Sequence, residues 1–174
     1  SNVQGCAAAI EKCFIDSGFP ENIFRNLVIP GTEVADVIKN PLIAAITLTG
    51  STPAGKSVAE TAGSVLKKTV LELGGSDPYV VLDDADLTVA TAACVTGRTL
   101  NAGQSCIGAK RMIVHESVYD SFLDILEKKL STKIMGDPLD EVDMGPMVSA
   151  SARDEVHDQV NRAIGSGADL RLGG

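Results

Sequence analysis

Two side chains in this sequence are of a kind that does covalent work. Cys106 closes the run Asn101-Ala102-Gly103-Gln104-Ser105-Cys106, with Gly108 just beyond it, and Glu72 interrupts Val70-Leu71-Glu72-Leu73-Gly74-Gly75. A thiol set in a loop is a nucleophile once deprotonated, and a nearby carboxylate can activate the water that later frees an acyl group from sulfur. Each residue also has a plainer reading. A lone cysteine is most often a small core residue. A glutamate in a strand can face solvent by alternation or sit in an ion pair. The polar, glycine-flanked setting of Cys106 separates it from Cys6, Cys13 and Cys94, which fall in apolar helical stripes and read as core residues.

A third segment, Thr49-Gly50-Ser51-Thr52-Pro53-Ala54-Gly55, follows an apolar run and opens a helix. A helix start presents unpaired N–H groups and the positive end of its dipole, which suits a phosphate. Gly50, Ser51 and Gly55 do not meet the strict GxGxxG spacing, so an ordinary capped turn competes with a phosphate cradle. His115 and His157 lie on polar stretches, without metal-ligand spacing to each other or to a cysteine. A cysteine hydrolase would need one of them within hydrogen-bond reach of Cys106, with Glu72 alongside. The acidic group Asp83-Asp84-Ala85-Asp86 reads as a helix N-terminus.

These residues need a frame, and the apolar pattern supplies one. Val3, Cys6, Ala7, Ile10 and Phe14 recur at helical spacing, and Gly18 ends that helix. Ile23 to Ile29 reads as a strand, and Thr32 as the cap of a short helix carrying Val34, Val37 and Ile38. Ala44 to Leu48 reads as a buried parallel strand, and Thr52 as the cap of a helix buried along Ala54, Val58, Ala62 and Val65. Strands at Thr69 to Leu73, Tyr79 to Leu82 and Met112 to Val114 alternate with helices, one begun by Asp86 and one striped by Val118, Phe122, Ile125, Leu126 and Leu130. A last helix through Ala152, Val156, Val160 and Ala163 precedes a short strand at Leu170 to Leu172. Strands and helices in alternation imply an α/β chain with parallel sheets flanked by helices. The glycine pair Gly74-Gly75 marks a seam.

Composition narrows the function classes. The 174 residues carry a net charge of −8 and only six aromatic side chains, four Phe and two Tyr, so nucleic acid and anionic membrane are poor partners. No apolar run reaches the roughly 20 residues of a membrane span. Four cysteines without paired spacing suit a reducing, cytoplasmic setting.

Taken in order, Thr49-Gly50-Ser51, Leu71-Glu72-Leu73-Gly74-Gly75 and Gly103-Gln104-Ser105-Cys106 resemble the aldehyde dehydrogenase superfamily. Lys133-Ile134-Met135-Gly136-Asp137-Pro138 and Gly145-Pro146-Met147 extend the resemblance over essentially the whole chain. It implies a partial Rossmann-like cofactor domain, residues 1–74, joined to a partial α/β catalytic domain, residues 75–174. It implies oxidation of an aldehyde to the carboxylic acid with NAD or NADP. Cys106 would attack the aldehyde carbon, its backbone N–H holding part of the oxyanion, and Glu72 would activate water. Gly50, Ser51 and Gly55 would form the pyrophosphate turn, and Leu73 would line the nicotinamide side through its backbone.

Ser1 to Ala7, Leu73 to Pro78 and Ala109-Lys110-Arg111 resemble bacterial succinate-semialdehyde dehydrogenases most. Some of these enzymes carry an arginine six residues before the nucleophile, where this chain has Leu100, and Arg98 lies on a different face. The resemblance also implies a second oxyanion donor upstream, a nicotinamide-ribose glutamate downstream and a homo-oligomer, so the chain reads as an internal piece of a longer enzyme. The competing expectation is a truncated, catalytically inactive nucleotide-binding or assembly module.

Overall fold

In a computed structural model, residues 3–173 are described. They form two compact units, Ser1–Leu73 and Gly74–Gly174, each containing a strand–helix–strand succession. Every strand pair is parallel, because each pair is joined through a helix rather than a hairpin. The α/β class expected from the sequence is the class observed.

The first unit contains helix α1 (Gln4–Asp16), helix α2 (Val34–Lys39), strand β1 (Ala45–Gly50), helix α3 (Thr52–Ser64) and strand β2 (Lys68–Leu73). β1 and β2 pair from Ala45↔Lys68 to Gly50↔Leu73. Along β2 the side chains alternate, so that Thr69, Leu71 and Leu73 are half-buried while Lys68, Val70 and Glu72 are exposed. Ala62 of α3 and Ile38 of α2 are the buried hydrophobic side chains of this unit. Lys67 ties the two helices together, since its ammonium donates to the Ile38 and Asn40 carbonyls at the end of α2.

Several expectations are corrected here. Ile23 to Ile29 forms no strand: it begins in a bend at Ile23 and Phe24, and no second strand pairs with it among the described residues. Thr32 lies inside a 3₁₀ turn, Gly31–Glu33, and caps nothing with its side chain. The cap of α3 is Ser51, not Thr52: Ser51 has extended backbone and its Oγ accepts from Ala54 N at 3.4 Å, while Thr52 already has joined the helix. Val65 stands at the end of α3 and is exposed. Cys6 and Cys13 are exposed, and the less exposed face of α1 runs through Ala7, Glu11 and Phe14 instead. Phe14 stacks on Phe24, with centroids 5.2 Å apart.

The second unit holds strand β3 (Pro78–Val81), helix α4 (Leu87–Thr99), strand β4 (Arg111–Val114), helix α5 (Tyr119–Ser131) and helix α6 (Ala150–Gly165). Its core is one cluster: Val81 from β3, Cys94 and Val95 from α4, Phe122 and Leu126 from α5. Burying each large apolar side chain of this kind stabilises by about 1.5–3 kcal/mol. Asp86 caps α4 as expected, its Oδ1 accepting from Thr88 N at 2.9 Å and Val89 N at 3.1 Å. Lys129 of α5 donates to Thr88 O and closes the helix pair. Burial pushes the Cys94 thiol above its ordinary value.

After α5 the loop is fastened by Asp143, which accepts from Ile134 N and from Lys133 Nζ. The Ile134 N–H first, and then the Lys133 ammonium, hold the Asp143 carboxyl below its usual range. Leu170 to Leu172 forms no strand, again with no partner among the described residues. No helix among the described residues is long and apolar enough to cross a membrane.

Candidate active site

In the first unit, the strand register brings four of the expected residues to one edge. Gly50 and Leu73 are paired at the carboxyl ends of β1 and β2, Glu72 stands beside Thr49, and Ser51 starts α3 directly above. In open α/β sheets, ligands bind outside the carboxyl ends of the strands. Glu72 is exposed and its carboxylate makes no ion pair or hydrogen bond among the described residues.

The two glycines at this edge differ in kind. A Cβ on Gly50 would meet only the Leu48 side chain, at an ordinary 3.6 Å, so internal packing does not demand glycine there. Gly55 is buried, and a Cβ on it would lie 2.7 Å from both Leu73 methyl carbons. Gly55 therefore sets how closely α3 approaches β2. Gly55→Ala is expected to displace Leu73 and cost about 1–3 kcal/mol by overpacking. A denaturant titration checks this, and an unchanged midpoint would mean that the contact is slack.

In the second unit, Cys106 is exposed at the tip of a turn closed by Gly108 N donating to Ser105 O at 3.1 Å. Its Sγ and its backbone N–H make no hydrogen bond among the described residues. The turn hangs from the end of α4 by Ala109 N, which donates to Gly97 O at 3.0 Å. Between α4 and Cys106 the backbone runs left-handed for three residues, with φ of +52° at Asn101, +53° at Ala102 and +76° at Gly103. A side chain at Gly103 would be strained by its φ and would displace the Arg98 guanidinium, since a Cβ would lie 2.5 Å from Arg98 Nη1 and 3.2 Å from Arg98 O.

Three side chains that the sequence reading left without a role fasten this segment. Arg98 Nη1 donates to Gly103 O at 3.3 Å. Lys110 Nζ donates to Cys106 O at 3.1 Å and Gly75 O at 2.7 Å. Gln104 joins Asn101 O to Val148 N. The available signal was a cluster of long polar side chains around a glycine turn, where backbone carbonyls need donors.

The histidines do not serve the thiol. His115 Nδ1 is engaged with Ser117, at 2.9 Å from its Oγ, and neither histidine hydrogen-bonds Cys106. The cysteine-hydrolase reading is therefore set aside. No cluster suited to a metal ion occurs among the described residues.

The first unit thus offers a strand end beside a helix start, and the second an exposed thiol on a turn. The aldehyde dehydrogenase family matches residues 1–174, and the chain belongs to that family. Over 175 aligned residues it is 47% identical to the NADP(+) succinate-semialdehyde dehydrogenase of Mycobacterium avium (strain 104), covering all of this chain and 37% of that relative. The succinic semialdehyde dehydrogenase of Streptococcus pyogenes, solved in complex with NADP+, superposes with a TM-score of 0.92 at 40% identity over 96% of this chain and 37% of its own. Lactaldehyde dehydrogenase from Escherichia coli also superposes with a TM-score of 0.92, at 35% identity, over 96% of this chain and 36% of its own. The chain thus spans just over a third of the length of these relatives.

Proposed function

We propose that the protein carrying this chain oxidises an aldehyde to a carboxylic acid with NADP or NAD, and that succinate semialdehyde is its substrate. The observation that carries this reading is the exposed Cys106 thiol, its own N–H unpaired among the described residues, in a segment fastened by Arg98, Gln104 and Lys110. In the proposed sequence, the Cys106 thiolate adds to the aldehyde carbon and the carbonyl electron pair moves to oxygen. The Cys106 N–H would donate to that oxyanion, which favours the transition state over the planar aldehyde. A nicotinamide cofactor held at the Gly50, Ser51 and Leu73 edge would supply the hydride acceptor, so that the adduct on Cys106 could become a thioester. Glu72 then takes a proton from water, the water oxygen adds to the thioester carbon, and the carbon–sulfur bond breaks to release the acid.

The edge at Gly50, Ser51, Gly55 and Leu73 fits the dinucleotide. Gly50 leaves room that packing inside the protein does not claim, and Ser51 starts a helix whose first N–H groups suit a pyrophosphate. Tight packing of Gly55 against Leu73 holds the helix start close to the strand end. In this reading residues 1–74 carry the cofactor and residues 75–174 the nucleophile. Succinate semialdehyde rests on the identity to relatives bearing that name. The lactaldehyde enzyme has the same fold similarity, so shape alone does not choose the substrate.

The experiment is mass spectrometry of the complete protein mixed with succinate semialdehyde and NADP, quenched in acid within the first turnovers. A succinyl adduct on the Cys106 peptide, with acid formed in step with reduced cofactor, supports the proposal. An unmodified Cys106 and no reduced cofactor with any small aldehyde would leave a nucleotide-binding module without turnover.

A further inference from the structure

Gln104 stands two residues before Cys106, and its side chain spans two segments. Oε1 accepts from Val148 N at 2.9 Å, and Nε2 donates to Asn101 O at 3.3 Å. The partners fix which end of the amide is which, since a backbone N–H only donates and a carbonyl only accepts. Both ends are tied to defined structure. Asn101 opens the left-handed run, and its carbonyl also receives Gln104 N at 3.1 Å. Val148 precedes Ser149, whose Oγ caps α6 by accepting from Ala152 N at 3.1 Å.

We propose that Gln104 is a positioning residue for the Cys106 thiol: its amide latches the left-handed turn Asn101–Gly103 to the start of α6 and so fixes the direction in which Sγ leaves its own turn. This rests on the reading of Cys106 as the nucleophile. Two consecutive non-glycine residues in left-handed geometry cost about 1–2 kcal/mol each, so local preference does not maintain this turn. Donors on its carbonyls maintain it. Arg98 serves Gly103 from the adjoining helix end. Among residues 101–106, only the Gln104 side chain hydrogen-bonds a segment remote in sequence, among the described residues. Without that tie the turn can relax towards ordinary backbone, carrying Cys106 with it. Misplacing a reacting atom by about 1 Å is enough to cost on the order of 100-fold in rate.

The test uses three forms of the complete protein: wild type, Gln104→Met and Gln104→Glu. Methionine keeps the length and loses both hydrogen bonds. Glutamate keeps an acceptor for Val148 N. Hydrogen exchange reads the latch itself: the Val148 amide should exchange at least about tenfold faster in the Met form and close to the wild-type rate in the Glu form. Steady-state kinetics read the positioning. In the Met form kcat should fall about 10–100-fold with KM within about threefold, and the Glu form should recover at least about fivefold of the loss.

Unchanged Val148 exchange in the Met form overturns the latch. Unchanged kcat overturns the positioning role. Equal losses in both variants, with a matching fall in melting temperature, mark Gln104 as merely structural and also overturn it. A Cys106→Ser form that still turns over refutes the nucleophile reading instead, while the exchange result stands on its own.

Discussion

Cys106→Ser is expected to reduce aldehyde oxidation by about 10⁴-fold or more, with the fold intact. Serine keeps the size and the turn but loses the thiolate, so no thioester forms and the cofactor is not reduced. The site is exposed and its side chain makes no hydrogen bond among the described residues, so stability should change by less than about 0.5 kcal/mol. The four thiols give this prediction an internal control. Cys6 and Cys13 are exposed on α1, whereas Cys94 is 2% exposed in the core, where burial raises its thiol. Iodoacetamide at neutral pH should label Cys106 ahead of Cys6 and Cys13, and Cys94 last. Accessibility alone would make the three exposed thiols equal, and equal labelling would remove the case for an activated nucleophile.

Glu72→Gln should separate the two halves of the reaction. The amide has the shape of the carboxylate but cannot take a proton from water. The cofactor should be reduced once, and the acyl group should remain on Cys106. Steady turnover should drop about 10²–10⁴-fold, the usual span for a lost general base. Stability should hardly move, because Glu72 is exposed and its carboxylate carries no ion pair or hydrogen bond among the described residues. A stopped-flow burst close to one equivalent, followed by a slow phase, is the expected trace. Wild-type turnover in this variant would assign the base to another residue and leave Glu72 as an ordinary strand-edge carboxylate.

What could be read from the sequence was what short stretches of chain determine. The α5 stripe of Phe122 and Leu126 and the Asp86 cap depend on neighbours two to four residues away, and both are in place. Ile23 to Ile29 has the composition of a strand, yet a strand exists only when another lies beside it, and composition carries no pairing. Ser51 and Thr52 are equally capable of capping. The choice falls to Ser51 because its backbone is the extended one, with φ −75° and ψ 155°. On α1 small apolar residues occupy several faces, so periodicity could not say which face would be covered, and Cys6 and Cys13 were misplaced. Cys106 and Glu72 stood out because few residue types do this chemistry. Gln104, Arg98 and Lys110 were silent because a side chain reaching for a backbone N–H or carbonyl leaves no repeating pattern in sequence.

The parallel strand pairs bear on how the chain acquires its shape. Neither pair can zip from a hairpin, so each must wait for a loop to close, from Ala45 to Lys68 in one unit and from Pro78 to Arg111 in the other. Those loops hold roughly 23 and 33 residues, and their closure entropies differ by only about 0.3 kcal/mol. Connectivity therefore gives neither unit a head start. The difference lies in what greets the chain once it has closed: the second loop returns to an oily nucleus of Val81, Cys94, Val95, Phe122 and Leu126, for which the first has no counterpart of that size among the described residues.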